Sequence, residues 1–219
     1  MPVRKVPKSH VSVTGLHATS KSDSAAEFES LLENDYLIHL DFDPWVESYE
    51  VQPVRVPVEG VPRGYVPDTL VHFCAGPEGQ TRPSELTEVK SLEDLQDNKA
   101  KYAPKFAAAT TYAQERGWIF VCKTERDIRT PKLRNLKFLR AYRRTEPPAA
   151  GVAAVFNALA AMGGQGSSEQ LLDSLAATDE ARAEILPTLW HLVATRRIAA
   201  DWDVVFGADV PLWLPEEIL

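Results

Sequence analysis

Two short acidic stations carry the side chains of this chain that could do chemistry. Asp68 follows Pro67, and Glu88 stands two residues before Lys90. In a strand, residues i and i+2 share a face, so Glu88 and Lys90 project together while Val89 enters the opposite layer. If Asp68 ends up beside them, two carboxylates and an ammonium converge. Hard oxygen ligands suit Mg²⁺, with Mn²⁺ as a substitute, and a nearby lysine can orient or deprotonate an attacking water and offset charge building on a phosphate. The chemistry this implies is phosphodiester hydrolysis.

Acid-x-lysine also occurs on ordinary solvated strands, so the flanking residues decide. Thr69-Leu70-Val71-His72-Phe73 and Leu86-Thr87-Glu88-Val89 are rich in β-branched and aromatic residues, and Gly76-Pro77-Glu78-Gly79-Gln80 between them predicts a turn. The expectation is a β-hairpin that brings the acids together in a PD-(D/E)xK arrangement. A third acid is expected from an upstream helix over 25–40, where Phe28, Leu31, Leu32, Tyr36 and Leu40 recur at helical spacing around Glu33. Pro44 ends that helix, and an extended run follows from Val46 to Pro53. Downstream, a helix is predicted from Ala100 to Arg116 with Pro104 near its first turn and Gly117 closing it, then a strand over 118–122. Strand, helix, strand after a hairpin implies a mixed α/β sheet with a right-handed crossover.

These residues resemble the TnsA family, the endonuclease subunits of heteromeric cut-and-paste transposases. The resemblance spans roughly residues 20–145. It rests on the joint order of Ser30-Leu31-Leu32-Glu33, Leu40-Asp41-Phe42-Asp43-Pro44, Tyr49-Glu50-Val51-Gln52-Pro53, Tyr65-Val66-Pro67-Asp68 and Thr87-Glu88-Val89-Lys90. It implies a restriction-endonuclease-like core in which Glu33, Asp68, Glu88 and the main-chain carbonyl of Val89 hold divalent ions. Lys90 is then essential to the chemistry, and Gln52 supports the ligands. Glu29 is the alternative register for the upstream acid. The resemblance also implies partners: DNA at the transposon ends, a TnsB-type transposase that recognises and joins those ends, and a TnsC-type ATPase regulator. The subunit itself cuts at the 5′ ends.

The net charge of −7 suits a DNA-handling protein only once it is divided along the chain. Residues 121–144 carry Lys123, Arg126, Arg129, Lys132, Arg134, Lys137, Arg140, Arg143 and Arg144 against Glu125 and Asp127. Phe138 and Tyr142 are interleaved, and phosphate contact is the expected use. Residues 1–22 add a basic arm without an acid. Cys74 and Cys122 lie in apolar runs with no CxxC pair, so they are expected to be reduced core residues. No apolar run approaches membrane-span length and the first residues lack a signal-peptide core; a cytoplasmic, nucleoid-associated protein is the expectation.

Composition shifts after Glu146-Pro147-Pro148. Residues 149–219 contain no lysine, ten acids and three arginines. Helices are predicted over 152–162, from the Ser167-Ser168-Glu169-Gln170 capping box to Leu175, and over 183–197 with Pro187 near the first turn. Two possible wing strands follow, at 198–202 and 210–214. The domains predicted are thus the arm at 1–22, a nuclease domain at 23–146 with the basic segment as its tail, and a winged-helix-like domain at 149–219. The acidity of the last points to a protein partner, the TnsC-type regulator by resemblance, or to the basic part of the same chain. Two other functions fit the same residues: a noncatalytic DNA- or protein-binding adaptor, and a restriction or junction-cleaving nuclease.

Overall fold

The computed structural model describes residues 14–22, 26–76 and 78–215. Most of the basic arm, Pro77 of the predicted turn, and Glu216 and Glu217 lie outside the described residues. The chain forms two compact units, Met1–Arg129 and Thr130–Leu219. Their junction lies upstream of the Pro147-Pro148 break that composition marks, so much of the basic segment belongs to the second unit.

The first unit runs β1 (Gly15–His17), β2 (Ala26–Phe28), α1 (Leu31–Phe42), β3 (Val46–Val51), β4 (Val56–Val58), β5 (Val61–Tyr65), β6 (Thr69–Phe73), β7 (Glu85–Val89), α2 (Leu92–Asp97), α3 (Lys99–Gln114), β8 (Ile119–Lys123) and α4 (Glu125–Ile128). Its main sheet has the order β3-β6-β7-β8. β6 pairs antiparallel with β3 and with β7, whereas β7 and β8 are parallel, joined by a crossover through α2 and α3. Alternation along the strands assigns the two faces. Val71 and Val89 pack with Leu32, Tyr36, Leu37 and Leu40 of α1, while Leu70 and Leu86 pack with Ala113 of α3. Glu88 and Lys90 follow Leu86 in period and so stand on the face opposite Val89. The hairpin β4–β5, read in the sequence only as an interval between motifs, packs through Val56, Val58 and Tyr65 on Ala109 and Phe106 of α3.

The upstream helix starts later than its apolar spacing predicts. Ser30 accepts from the Glu33 backbone N–H at 3.1 Å, and the Glu33 carboxylate accepts from the Glu29 N–H at 2.7 Å and the Ser30 hydroxyl at 3.0 Å. This reciprocal cap fixes the N-terminus and leaves residues 26–28 to pair as a strand with β1. The other end is clasped by Lys21, whose Nζ donates to the carbonyls of Leu40, at 3.0 Å, and Asp43. α3 also begins earlier than predicted, which places Pro104 inside it.

The second unit contains α5 (Pro131–Leu139), α6 (Ala149–Ala161), β9 (Gln165–Ser167), α7 (Ser168–Leu175), α8 (Asp179–Ala194), β10 (Ala199–Ala200) and β11 (Pro211–Trp213). Its strands form an antiparallel sheet in the order β10-β11-β9. The Ser167/Gln170 capping box opens α7. Thr178, with Asp179 and Glu180 in the first turn, starts α8 earlier than expected, so Pro187 lies in the helix interior. β9 is the strand that the glycine-rich sequence hides: Gly163 and Gly164 take φ +80° and +82°, ending α6 and turning the chain into it. Asn135 on α5 is the polar hub, its side-chain amide donating to the carbonyls of Trp202 at 2.9 Å and Val204 at 2.7 Å and accepting from the Phe206 N–H at 2.9 Å.

Candidate active site

Asp68 is the residue just before β6, and the ladder places it opposite the end of β7. Its N–H bonds to the carbonyl of Thr87 at 3.0 Å, its carbonyl accepts from the Gln52 N–H at 2.8 Å, and its Oδ2 accepts from the Val89 N–H at 2.7 Å. Lys90, just past β7, is anchored by its N–H to the Lys123 carbonyl on β8 at 3.1 Å. Its Nζ lies 2.9 Å from Glu88 Oε1, 3.8 Å from Asp68 Oδ2 and 3.1 Å from the Val89 carbonyl. The fold thus brings Asp68, Glu88, Lys90 and the Val89 carbonyl to one point.

Burial makes these charges expensive. Glu88 is pushed up to about 8, first by desolvation and then by Asp68; desolvation also raises Asp68. Lys90 is held firmly protonated, because Asp68 and Glu88 outweigh the burial that would otherwise discharge it. Glu88 Oε2, Gln52 Oε1, the Tyr65 hydroxyl and Thr69 Oγ1 are buried without a well-formed hydrogen bond, although the Tyr65 hydroxyl lies close enough to Glu88, and Thr69 to Tyr36, to shift their ionisation. Native interiors seldom leave such atoms unsatisfied. Glu88, Gln52 and Tyr65 line a single cleft of about 680 Å³, together with Glu29, Asp68 and Lys90.

The upstream acid is arranged differently from the other two. Glu33 feels Asp68, which together with the larger effect of burial pushes it up to about 7, yet its carboxylate closes the cap of α1. Glu29, the alternative, lines the cleft and accepts from Gln52 Nε2 at 2.9 Å. Gln52 has φ +48°, a left-handed conformation uncommon outside glycine. Among the described residues no group of three or more His, Cys, Asp or Glu side chains is poised to hold a metal ion. The donor set nevertheless fits a hard divalent cation: Asp68 and Glu88 supply anionic oxygens, Glu88 has one oxygen without a well-formed hydrogen bond, and the Val89 carbonyl is adjacent. Cys74 and Cys122 are free thiols, and burial pushes Cys122 up to about 11, away from the reactive thiolate.

The basic residues predicted for phosphate contact are dispersed. Lys123 ends β8, Arg126 is exposed on α4, and Arg129 is tied to the buried Asp35 at 3.1 Å. Lys132, Arg134 and Lys137 lie on α5, Arg140 caps it, and Arg143 and Arg144 follow, all in the second unit. The cations that line the cleft are others. Arg55 and Arg63 come from the β4–β5 hairpin, and Lys101 and Lys105 come from α3 beside Tyr102. Sequence reading passed over them; the i,i+4 spacing of the two lysines is the one local signal that could have shown them. Among the described residues no helix is long and apolar enough to cross a membrane.

A comparison with curated proteins gives no match. Family models do match: residues 43–125 fit the TnsA-like endonuclease N-terminal model and residues 127–202 the TnsA endonuclease C-terminal model. Between them they cover most of the chain and part of each compact unit, Asp68, Glu88 and Lys90 included but Glu29 and Glu33 outside, and the chain belongs to the TnsA endonuclease family.

Proposed function

We propose that this chain is the Mg²⁺-dependent DNA endonuclease subunit of a heteromeric transposase, hydrolysing one strand at the 5′ ends of the transposon so that the element is excised. The observation that carries the reading is the convergence of Asp68, Glu88 and Lys90 in a cleft where Glu88 Oε2, Gln52 Oε1 and the Tyr65 hydroxyl are buried without a well-formed hydrogen bond. Asp68, Glu88 and the Val89 carbonyl would hold the ion, with Glu33 joining them by leaving its cap. When bound, Mg²⁺ supplies Lewis-acid activation of phosphate and water.

The chain's own groups do the rest. The Lys90 ammonium, kept protonated by its two carboxylates, sits where it can orient the attacking water and balance charge on the scissile phosphate. Asp68 is fixed by the Val89 N–H, so the site geometry is tied to the β6–β7 pairing. Gln52, held in its left-handed conformation, orients Glu29 at the edge of the cleft. The first unit is in this reading a PD-(D/E)xK core. The second, with three helices interleaved with a small antiparallel sheet after α5, is read as a winged-helix-like module that engages a TnsC-type regulator. The acidity of residues 149–219 argues against a major phosphate-binding role for that part of the unit, whereas the basic run from Lys132 to Arg144 that precedes it is suited to phosphate.

A noncatalytic adaptor is the second reading, and the engagement of Glu33 in the helix cap is what favours it. Strand-resolved cleavage of labelled transposon ends in Mg²⁺, with and without the partner transposase, separates the two. Specific cutting near the 5′ ends is expected. No cutting under either condition by the folded chain leaves the adaptor.

A further inference from the structure

We propose that Arg55, Arg63, Lys101 and Lys105 form a phosphate track at the mouth of the cleft, holding the DNA backbone on either side of the bond to be cut. The inference rests on the endonuclease reading for its cleavage site, but not for its physical basis. The floor of the cleft is acidic, with Glu29, Asp68 and Glu88 facing Lys90. A polyanion is repelled by such a floor unless cations border it. The four residues supply that border from two independent elements.

Three features mark these cations as free of salt-bridge partners among the described residues and turned to the cleft, although Arg55 donates to the Arg63 carbonyl and the lysines lie over Tyr65 and Tyr102. First, among the described residues none of the four makes an ion pair, whereas Arg82, Arg116, Arg129 and Arg182 each have a carboxylate partner. Second, Lys101 lies in the first turn of α3, where the helix dipole favours anions, with Lys105 one turn further along. That helix has no acid in its first turn and no side-chain cap from Asn98, unlike α7 and α8, which have both an acid and a cap. Positive charge at a positive helix end is favourable only when an anion arrives. Third, Tyr65, 6% exposed, lines the same cleft with its hydroxyl close to the Glu88 carboxylate, and Lys105 Nζ is 6.0 Å from its ring. The ring thus joins the lysine side of the track to the acidic part of the cleft.

Local packing fixes the hairpin side of the track. Gly64 has φ +60°, and a Cβ there would lie 2.6 Å from the Val56 carbonyl oxygen and 3.3 Å from Arg55 Cγ. The strands therefore approach closely enough for Arg55 Nη1 to donate to the Arg63 carbonyl. The two guanidinium groups are carried on the facing arms of one hairpin, and the two lysines stand one helical turn apart on α3.

The test is duplex DNA binding by the full chain, read by fluorescence anisotropy in EDTA over a range of NaCl concentrations. Arg55→Gln with Arg63→Gln, and separately Lys101→Gln with Lys105→Gln, should each flatten the slope of log K against log salt by roughly 0.9 per lost phosphate contact. Affinity at 0.1 M salt should fall by roughly tenfold per lost contact, on the same count. Arg116→Gln, in the turn just past the C-terminus of α3 and outside the cleft, should leave the slope unchanged. Should the arginine pair unfold the hairpin, the exposed lysine pair decides alone, and Lys101→Arg with Lys105→Arg should retain the wild-type slope. Wild-type slopes in folded pair variants, an equal loss from Arg116→Gln, or no duplex binding by the wild-type chain would each overturn the track. Because binding is read without cleavage, a chain that shows the slope changes but never cuts breaks the nuclease reading and leaves the track standing.

Discussion

The two units treat buried polar groups in opposite ways. In the second, Asn135 is 1% exposed and its amide makes three hydrogen bonds, while buried Ser168 bonds through its hydroxyl to Asp209 and to the Val210 N–H. In the first, four buried polar atoms lack a well-formed hydrogen bond, and three of them open onto the acidic cleft. None of the atoms left so among the described residues lies in the second unit. A polar group that is buried and satisfied fixes one packing, whereas one that is buried and left open stores free energy that a ligand can release. The contrast separates a part built to hold its shape from a part built to receive something.

The largest effect that would sharpen this contrast is on catalysis. Asp68→Asn keeps an acceptor for the Val89 N–H while removing the charge, and Lys90→Ala removes the ammonium. Each should lower 5′-strand cleavage by about 10³-fold or more, with an unfolding midpoint near that of the wild type. Full cleavage by folded Asp68→Asn would remove the cleft from the chemistry. Next in size, Asn135→Ala should cost about 3 kcal/mol in urea unfolding of the second unit, because two carbonyls and one N–H lose their partner in a dry interior. A loss under about 0.5 kcal/mol, the range of an ordinary surface change, would mean that the hub is not what fixes that unit.

The smallest expected effect is pH-dependent. Glu33 and Glu88 are pushed up to about 7 and about 8 from 4.5, so their ionisation opposes folding. The stability they contribute is complete below pH 4.5 and is lost as pH rises through those higher values. In EDTA, the wild-type melting temperature should therefore drop between pH 5 and pH 9 by about 3 °C more than that of Glu88→Gln, the size of a ~1 kcal/mol difference in a chain of this length. Parallel curves for the two proteins would show that the cleft carboxylate is not under this constraint.

What could be read in the sequence was local. The β-branched and aromatic residues of 69–73 and 86–89, with the turn residues between them, give the hairpin, and the i,i+2 rule puts Glu88 and Lys90 on one face. Ser167 and Gln170 announce α7, and Gly117, at φ +69°, closes the turn after α3. The β4–β5 hairpin was not legible, because Pro53, Pro57, Gly60, Pro62 and Gly64 punctuate it into what looks like a loop. Ser30-x-x-Glu33 fits two roles, a metal-ligand position by resemblance and a helix cap by pattern, and only the three-dimensional bonds reveal the cap. The cationic rim was missed for a related reason. Arg55 and Lys101 are far apart in sequence and meet only around a cleft, whereas the basic run at 121–144 is conspicuous in the linear chain but divided between two units.

The clasp between Asp68 and the Val89 N–H has a consequence for how the chain folds. Both residues belong to one hairpin, so closing it requires only a short loop, while parallel pairing of β7 with β8 must wait for the whole of α2 and α3. As the chain folds, the hairpin can therefore gather the acids before the strand that anchors Lys90 docks. At that stage water still surrounds them and screens their repulsion. The topology implies that the electrostatic penalty of the site is deferred until the last strand docks, which makes β8, and not the acid-bearing strands, the point at which the folding chain commits to an assembled catalytic centre.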